Sequence, residues 1–249
     1  MSNKLLKIND LSVDFKIKQG IFSAVKNVTF GISENETMAL VGESGSGKSV
    51  TAMSILQLLQ RPQAQYSKNS SIVFNESEVI DSNYKNLLNI RGNMISMIFQ
   101  EPMTSLNPYH RVGIQISESI LLHMKVSKKE AENEAKKLMS LVEIDDIDRR
   151  YNAYPHELSG GQRQRIMIAM ALVNKPRLLI ADEPTTALDV TIQAQILDLM
   201  NRLKKEIGMS ILFITHDLGL VKQFSDNVCV MKDGEIVEKG ITKNVFSNP

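Results

Sequence analysis

The sequence predicts an α/β fold in which a mainly parallel sheet is accompanied by an antiparallel β part and an inserted helical region. Three patterns predict this fold class. Alternating apolar and polar residues near the start are typical of half-exposed antiparallel strands, whereas short continuous apolar runs are typical of parallel strands covered on both faces. Between about residues 103 and 157 the apolar spacing is helical instead.

The strands follow from two kinds of segment. "LLKINDLSVDFKI" and "VKNVTFGI" alternate apolar and polar residues, so we expect them to be antiparallel strands with one exposed face. "TMALVG", "RLLIAD" and "SILFIT" are continuous apolar runs, and they predict the buried strands of the parallel sheet.

The helical region contains two predicted helices and no buried-strand run between them. The segments are "GIQISESILLHM" and "SKKEAENEAKKLMSLVEI". The second helix is expected to begin at Ser127, because Glu130 follows at the spacing of a capping box. Its Lys and Glu residues indicate a solvated face.

The composition excludes several classes of protein. A chain of 249 residues, 43% of them hydrophobic, can bury a substantial core. Its net charge of +1 gives no overall electrostatic reason to expect binding to nucleic acid. No apolar stretch approaches the roughly 20 residues that span a bilayer, and no signal-peptide core is present. Cys229, the single cysteine, lies in an apolar run, so we expect a buried thiol in a reducing compartment.

The first segment with definite chemistry is "GESGSGKS", a G-x-x-x-x-G-K-S pattern between a strand and a helix. Its glycines let successive amides turn toward phosphate oxygens, and the helix N-terminus adds a positive dipole end. We expect Lys48 to reach the β and γ phosphates of ATP and Ser49 to bind Mg²⁺. A glycine-rich turn without a ligand is the alternative. The predicted nucleotide-binding residues of this loop are Gly42, Glu43, Ser44, Gly45, Ser46, Gly47, Lys48, Ser49 and Val50.

Two adjacent carboxylates, Asp182 and Glu183, end the apolar run "RLLIADEP". Carboxylates at the end of a buried strand are costly unless they face something positive. In a phosphoryl-transfer site Asp182 would hold Mg²⁺, and Glu183 could polarise the attacking water. The alternative is a strand that ends in a solvent-facing acidic turn.

The order of the motifs resembles that of ATP-binding-cassette (ABC) ATPases over nearly the whole chain. After the phosphate loop come Gln100 in "MIFQEP", "LSGGQ" at 158–162, "LLIADE", "TALD" at 186–189, and His216 in "ITHD". The resemblance implies an ABC-type nucleotide-binding domain over 1–249. It places a RecA-like and antiparallel β core at about 1–102 and 164–249, and a helical signature subdomain at about 103–163. It also implies an active ATPase, since no motif is degenerate.

The resemblance assigns a role to each remaining residue, beside a plainer alternative. Phe15 would stack on adenine, although packing in the core is the alternative. Gln100 would contact Mg²⁺ or water, and as an isolated glutamine it would be a surface residue. His216 would hydrogen-bond the γ-phosphate and hold Glu183 and water in line, although an isolated histidine there is more often structural.

The segment "LSGGQRQRIMIAMAL" presents a hydroxyl and backbone amides at the start of a helix, which is a second anion site. In the resembled family two cassettes pair head to tail, so this turn would cap the γ-phosphate bound by the partner. A helix N-cap without a ligand is the alternative. The residues expected at this shared interface are Ser159, Gly160, Gly161, Gln162 and Asp189.

Two further segments, "QEPMTSLNP" and "YPHELSGGQRQR", resemble the ATP-binding subunits of bacterial dipeptide, oligopeptide and nickel importers. The resemblance favours peptide import, with nickel or a metal chelate as the alternative cargo. Soluble ABC ATPases that act on DNA or ribosomes are disfavoured, because this sequence has neither a coiled coil nor a second cassette.

The same resemblance implies the partners. They are a second cassette, two transmembrane permease subunits and, indirectly, an extracytoplasmic substrate-binding protein; no nucleic acid is expected. The chain would then lie at the cytoplasmic face of the cell membrane. Residues from Gln100 to Pro108 are predicted to receive the permease, with Met103 and Leu106 as test positions. No iron–sulfur centre is expected, because the chain lacks the cysteine cluster of some relatives.

Overall fold

The computed structural model describes residues 4–18, 20–100, 105–186 and 188–247. They form two compact units: a first unit of Met1–Arg91 with Gly208–Pro249, and a second unit of Gly92–Ile207. The strands are β1 (Lys4–Ile17), β2 (Gly20–Ser33), β3 (Thr37–Val41), β4 (Ala64–Tyr66), β5 (Ser71–Phe74), β6 (Ser77–Glu78), β7 (Ile95–Ile98), β8 (Leu178–Asp182), β9 (Ser210–Thr215), β10 (Asn227–Lys232) and β11 (Glu235–Ile241). The helices are α1 (Lys48–Ile55), α2 (Tyr84–Ile90), α3 (Val112–His123), α4 (Lys128–Leu141), α5 (Ile147–Tyr151), α6 (Gly160–Leu172), α7 (Val190–Ile207), α8 (Leu218–Phe224) and α9 (Thr242–Ser247).

The antiparallel sheet of the first unit has the order β2-β1-β5-β6, and β4 also pairs with β1. The predicted antiparallel strands are therefore confirmed. β2 begins at Gly20, however, five residues before the predicted "VKNVTFGI" segment. The reason is pairing rather than burial: Phe22 lies opposite Phe15 and continues the ladder, although Ile21 and Phe22 are exposed.

The mainly parallel sheet of the first unit has the order β11-β10-β3-β9, in which β3 is parallel to both of its neighbours. β3 and β9 are buried along their whole length, as their continuous apolar runs predict. Val221 of α8 packs against Ala39, Val41 and Val228. Because β3 and β9 are parallel neighbours, their carboxyl ends lie at one edge of the sheet, where functional loops commonly lie.

In the second unit, β7 and β8 form a parallel pair, with Ile98 opposite Ala181. The described residues between 105 and 163 contain α3, α4 and α5 but no strand, as the helical spacing predicts. The buried positions Val112, Ile116 and Ile120 recur every four residues along α3 and give it one apolar face. The helix boundaries agree with the predicted insertion, whereas the subdomain limits at 103 and 163 stay a prediction.

Other local predictions can be compared directly with the structure. Ser127 caps α4 and forms a complete capping box with Glu130, and Cys229 is buried, so both predictions are confirmed. Of the two positions proposed to test permease contact, Met103 lies outside the described residues. Leu106 is only 2% exposed, so its side chain belongs to the core of its unit and not to a docking surface. Among the described residues, no helix is both long enough and apolar enough to cross a membrane.

Candidate functional site

The phosphate loop connects the buried strand β3 to helix α1. Gly47 caps the helix with φ 101°, a left-handed conformation that favours glycine, and a Cβ atom there would lie 2.6 Å from the carbonyl oxygen of Ala24. Glu43, Ser44 and Gly45 form the exposed rim of the loop, while Ser46 is buried. This local geometry therefore depends on glycine where the loop turns into the helix.

Lys48 is the first residue of α1 and is only 5% exposed. Its Nζ donates hydrogen bonds to the carbonyl oxygens of Gly42 at 2.7 Å and Glu43 at 2.8 Å. A buried ammonium group at a helix N-terminus, inside a turn of backbone amides, is well suited to a phosphate group. Ser49 and Val50 follow in the first turn of the helix.

His216 lies at the same edge of the sheet as the phosphate loop. β3 and β9 are parallel neighbours, and Val41 is paired with Thr215. Gly42 and His216 each follow directly, so the two segments leave the sheet side by side. The His216 side chain is exposed, whereas Asp217 turns back and caps α8 by accepting from the Gly219 amide at 2.7 Å.

Phe15 is half-buried on β1, and its cross-strand neighbour Phe22 is more exposed. Two residues further along β2, Ala24 lies against Gly47 of the phosphate loop. Phe22 thus lies on the strand against which the loop packs, and Phe15 lies opposite it on the neighbouring strand. Phe15 retains an exposed fraction, which fits a stacking platform better than a fully packed core residue.

The two carboxylates at the end of β8 have different environments. Asp182 is buried within the strand, whereas Glu183 directly follows it and is partly exposed. Glu183 has φ 47°, in the left-handed region that residues with a side chain seldom occupy. Such a conformation persists only when the surroundings hold it, and it is common at functional sites.

Two side chains donate hydrogen bonds to one oxygen of Glu183. Oε2 accepts from Nε2 of Gln100 at 3.1 Å and from Oγ1 of Thr186 at 2.9 Å. The first contact brings two predicted residues together. Sequence reasoning assigned no such role to Thr186, because the contact depends on a turn that only the structure shows, in which the Thr186 amide donates to the Glu183 carbonyl oxygen at 3.1 Å.

Asp189 acts as the N-cap of α7. Its Oδ1 accepts from the Ile192 amide at 2.9 Å, and Gln193 steadies the preceding loop by donating to the carbonyl oxygen of Leu188 at 3.1 Å. Ala187, which belongs to the predicted "TALD" motif, lies outside the described residues. The last residue of the motif is therefore fixed by the helix that it opens.

Ser159 caps α6 in a complete capping box. Its Oγ accepts from the Gln162 amide at 3.2 Å, while its own amide donates to Oε1 of Gln162 at 3.1 Å. A Cβ atom on Gly161 would lie 2.9 Å from Cγ2 of Ile192, and one on Gly160 would press on Leu188. The glycines therefore let the start of α6 approach the start of α7, and the Ser159 hydroxyl keeps its own hydrogen to donate.

Comparisons with known proteins agree with these motifs. The family model described as "ABC transporter" matches residues 25–186. The Agrobacterium fabrum peptidoglycan transport ATP-binding protein YejF is 54% identical over 98% of this chain and 45% of its own length. The Bacillus subtilis oligopeptide transport ATP-binding protein OppD is 51% identical over 99% of this chain and 68% of its own length. The chain thus spans from about half to two thirds of the length of these relatives.

Solved structures show the same fold. A dimeric post-hydrolysis structure of the ATP-binding cassette MJ0796, bound to ADP and Pi, has a TM-score of 0.84 and 28% identity, covering 95% of this chain and 98% of that one. Clostridium perfringens cbiO1, part of the transporter complex cbiONQ, has a TM-score of 0.83 and 29% identity. The match covers 99% of this chain and 92% of that one. Since the family model matches more than half of it, the chain belongs to the ABC transporter family, as one of its ATP-binding cassettes.

Proposed function

We propose that the chain is the ATP-hydrolysing subunit of a bacterial importer for peptides, and that it acts at the cytoplasmic face of the membrane through permease partners. ATP hydrolysis is supported mainly by the Glu183 carboxylate, which two hydrogen bonds hold in place, and also by the complete set of ABC motifs. The observation that carries the cargo is the identity to OppD along almost the whole chain.

The phosphate loop supplies binding in this proposal. Backbone amides of Gly42–Val50 and the Lys48 ammonium hold the phosphates of ATP, and Phe15 stacks on the base. Mg²⁺ would be held by Ser49, Asp182 and Gln100, whose hydroxyl, carboxylate and amide oxygens are the hard ligands that this ion prefers. His216 would donate a hydrogen bond to the γ-phosphate.

Glu183 is the group that orients the attacking water. A general base is effective when it is held within reach of the proton that it accepts, and the hydrogen bonds from Gln100 and Thr186 hold this carboxylate in place. Both donors contact the same oxygen, Oε2. Hydrolysis then needs no covalent intermediate on the protein.

A second cassette, identical or homologous, would complete the site. The start of α6 offers backbone amides and the Ser159 hydroxyl at a positive helix end, which suits a phosphate brought by the partner. Gly160, Gly161, Gln162 and Asp189 would lie at that interface. The dimeric structure of the cassette MJ0796 supports such pairing.

Peptide cargo is supported by the names of several relatives. OppD is described as an oligopeptide transport protein, and Escherichia coli GsiA, 47% identical over all of this chain and 40% of its own length, as a glutathione import protein. The cassette itself would not contact the cargo. Two permeases and an extracytoplasmic binding protein would do so.

Reconstitution of the chain in proteoliposomes with its permeases, its second cassette and its binding protein tests the proposal. We expect ATP-dependent uptake of labelled peptide, no uptake with Lys48→Ala, and no uptake of nickel. Nickel uptake without peptide uptake would contradict the proposed peptide cargo but leave the proposed ATPase activity standing. The absence of ATP hydrolysis in the assembled complex would reject both.

A further inference from the structure

A hollow of about 720 Å³ lies within the second unit, beside the start of α6. Residues of α6, of α7 and of the turn after α4 line it. Those that matter here are Glu143, Ser159, Gly161, Arg165, Ile192 and Arg202. The contacts across this hollow, between α6, α7 and the turn after α4, help to set the position of the Ser159 turn.

Glu143 makes one of these bridging contacts. Its Oε2 lies 2.7 Å from Nη1 of Arg165 on α6, and its Oε1 lies 2.6 Å from Nη1 of Arg202 on α7. The same Arg165 nitrogen donates to the carbonyl oxygen of Val142 at 2.8 Å. One carboxylate therefore joins two helices and the turn that follows a third, and we call Glu143, Arg165 and Arg202 the carboxylate brace.

We infer that Glu143 is a positioning residue, which holds the signature turn at Ser159 in the orientation needed to cap the phosphate of a partner cassette. The inference rests on the proposed function, since only a shared nucleotide gives that orientation a catalytic consequence. Arg165 follows Ser159 by six residues, less than two helical turns. A swivel of α6 would therefore displace both residues together.

The second contact between the two helices lies at the start of α6. Gly161 approaches the Ile192 side chain there, and Gly160 approaches Leu188. α6 is thus held against α7 at two levels, by close glycine contact at its first turn and by the carboxylate brace at Arg165, about one turn further along α6. Loss of the carboxylate brace removes the second of these contacts with α7, while the buried face of α6 stays packed in its unit. The orientation of the exposed Ser159 turn is then less firmly fixed.

The features of the brace suit positioning better than stability. Glu143 is 47% exposed, and exposed ion pairs contribute little to the free energy of unfolding. Arg165, in contrast, is only 13% exposed, so its guanidinium has few alternative partners in water. The two guanidiniums also hold the pKa of Glu143 below its usual range, hydrogen bonding from Arg165 being the largest cause and that from Arg202 the next. The carboxylate therefore stays charged at neutral pH.

The backbone conformation of Glu143 also supports a positioning role. Its φ of 59° lies in the left-handed region, where a residue with a side chain is disfavoured. The turn is closed by the Glu143 amide, which donates to the carbonyl oxygen of Ser140 at 2.9 Å. This closed turn presents the carboxylate to both arginines at once.

The test compares Glu143→Gln with Glu132→Gln. Glu132 is a matched control because it lies in the same unit, is 45% exposed and forms one ion pair, to Lys136 at 2.9 Å. Three quantities are measured for each: the affinity of the isolated chain for a fluorescent ATP analogue, kcat and KM for ATP in the assembled complex, and the melting temperature.

We expect Glu143→Gln to bind the analogue like wild type and to keep its KM, while kcat falls about tenfold, a typical size for loss of one coupling contact. Glu132→Gln should match wild type throughout. Arg202→Gln should also lower kcat. The double variant should have a kcat no lower than that of Glu143→Gln, because both changes remove the same interaction.

Equal kcat for Glu143→Gln and Glu132→Gln would overturn the inference, as would a fall in analogue affinity or melting temperature that matches the fall in kcat. If Glu143→Gln does not fold, Arg202→Gln decides alone, since it keeps the contact between Glu143 and Arg165. The proposed function fails separately: in that case wild type itself does not hydrolyse ATP, or Lys48→Ala hydrolyses it equally well.

Discussion

Glu183 combines a left-handed backbone with a carboxylate oxygen held by two side chains. A residue with a side chain in that conformation costs on the order of 1 kcal/mol, which the surrounding turn must offset. The adjacent carboxylates predicted a site, because charges at the end of a buried strand require a partner. The sequence could not predict the backbone angle or the Thr186 contact, since both depend on how the turn after β8 closes.

Glu183→Gln should retain ATP binding and lose turnover by about 10²–10⁴-fold, because the amide keeps the shape but cannot accept a proton from water. Turnover under saturating Mg²⁺, with a competent partner cassette present, is the measurement. Glu206→Gln, an exposed position on α7, is the control and should leave turnover unchanged. Wild-type turnover in Glu183→Gln would show that Glu183 does not take part in catalysis.

Thr186→Val should lower turnover by about tenfold, since a hydrogen bond to a charged group is lost while the side-chain volume is kept. Thr186→Ser retains the hydroxyl and should remain near wild type. The comparison of kcat for these two variants, with ATP affinity measured alongside, isolates the hydroxyl. Equal kcat for the two variants would mean that Gln100 alone is enough to hold Glu183.

Cys229 should be unreactive in the folded chain. Burial raises the pKa of its thiol to about 12, so almost no thiolate exists at pH 8. A chromogenic disulfide reagent should therefore modify the native protein far more slowly than the protein in denaturant. Rapid modification of the native chain would show that this strand of the first unit opens readily.

At the scale of elements, prediction succeeded where burial decides structure. The continuous apolar runs of β3, β8 and β9 were predicted because strands covered on both faces exclude polar residues. β6 has only two residues, and the start of β2 is exposed, so neither leaves an apolar pattern. Both exist because a neighbouring strand supplies hydrogen bonds, which a pattern of hydrophobicity does not record.

The contact between α6 and α7 gives a prediction at this scale. Gly161→Ala should lower turnover, because its new methyl group meets Cγ2 of Ile192, a branched atom that cannot swing away. Ile192→Ala removes that atom, so the double variant should regain part of the lost activity. The melting temperature should not fall in parallel, since alanine is the better helix former. No rescue by Ile192→Ala would exclude this contact as the cause.

At the scale of the whole molecule, the structure divides the chain into two units, and the predicted ATP residues are distributed over both. Lys48 and His216 belong to the first unit, whereas Glu183 and Ser159 belong to the second. The order of the motifs predicted the family without the structure, because each motif has a chemical duty that fixes its residue types. The cargo was predicted only through the resemblance of two segments to importer subunits, and not from the chemistry of a motif.

The shared nucleotide is the central claim, and ATP affinity of the isolated Ser159→Arg chain tests it most directly. If Ser159 serves the ATP of a partner, this affinity should stay within about twofold of wild type, because Lys48 and the loop amides are intact. Lys48→Ala, titrated beside it, should bind at least about tenfold more weakly, since it loses a charge-assisted contact to phosphate. A folded Ser159→Arg monomer that loses affinity as severely as Lys48→Ala would contradict the account, because the signature turn would then act on the ATP of its own chain.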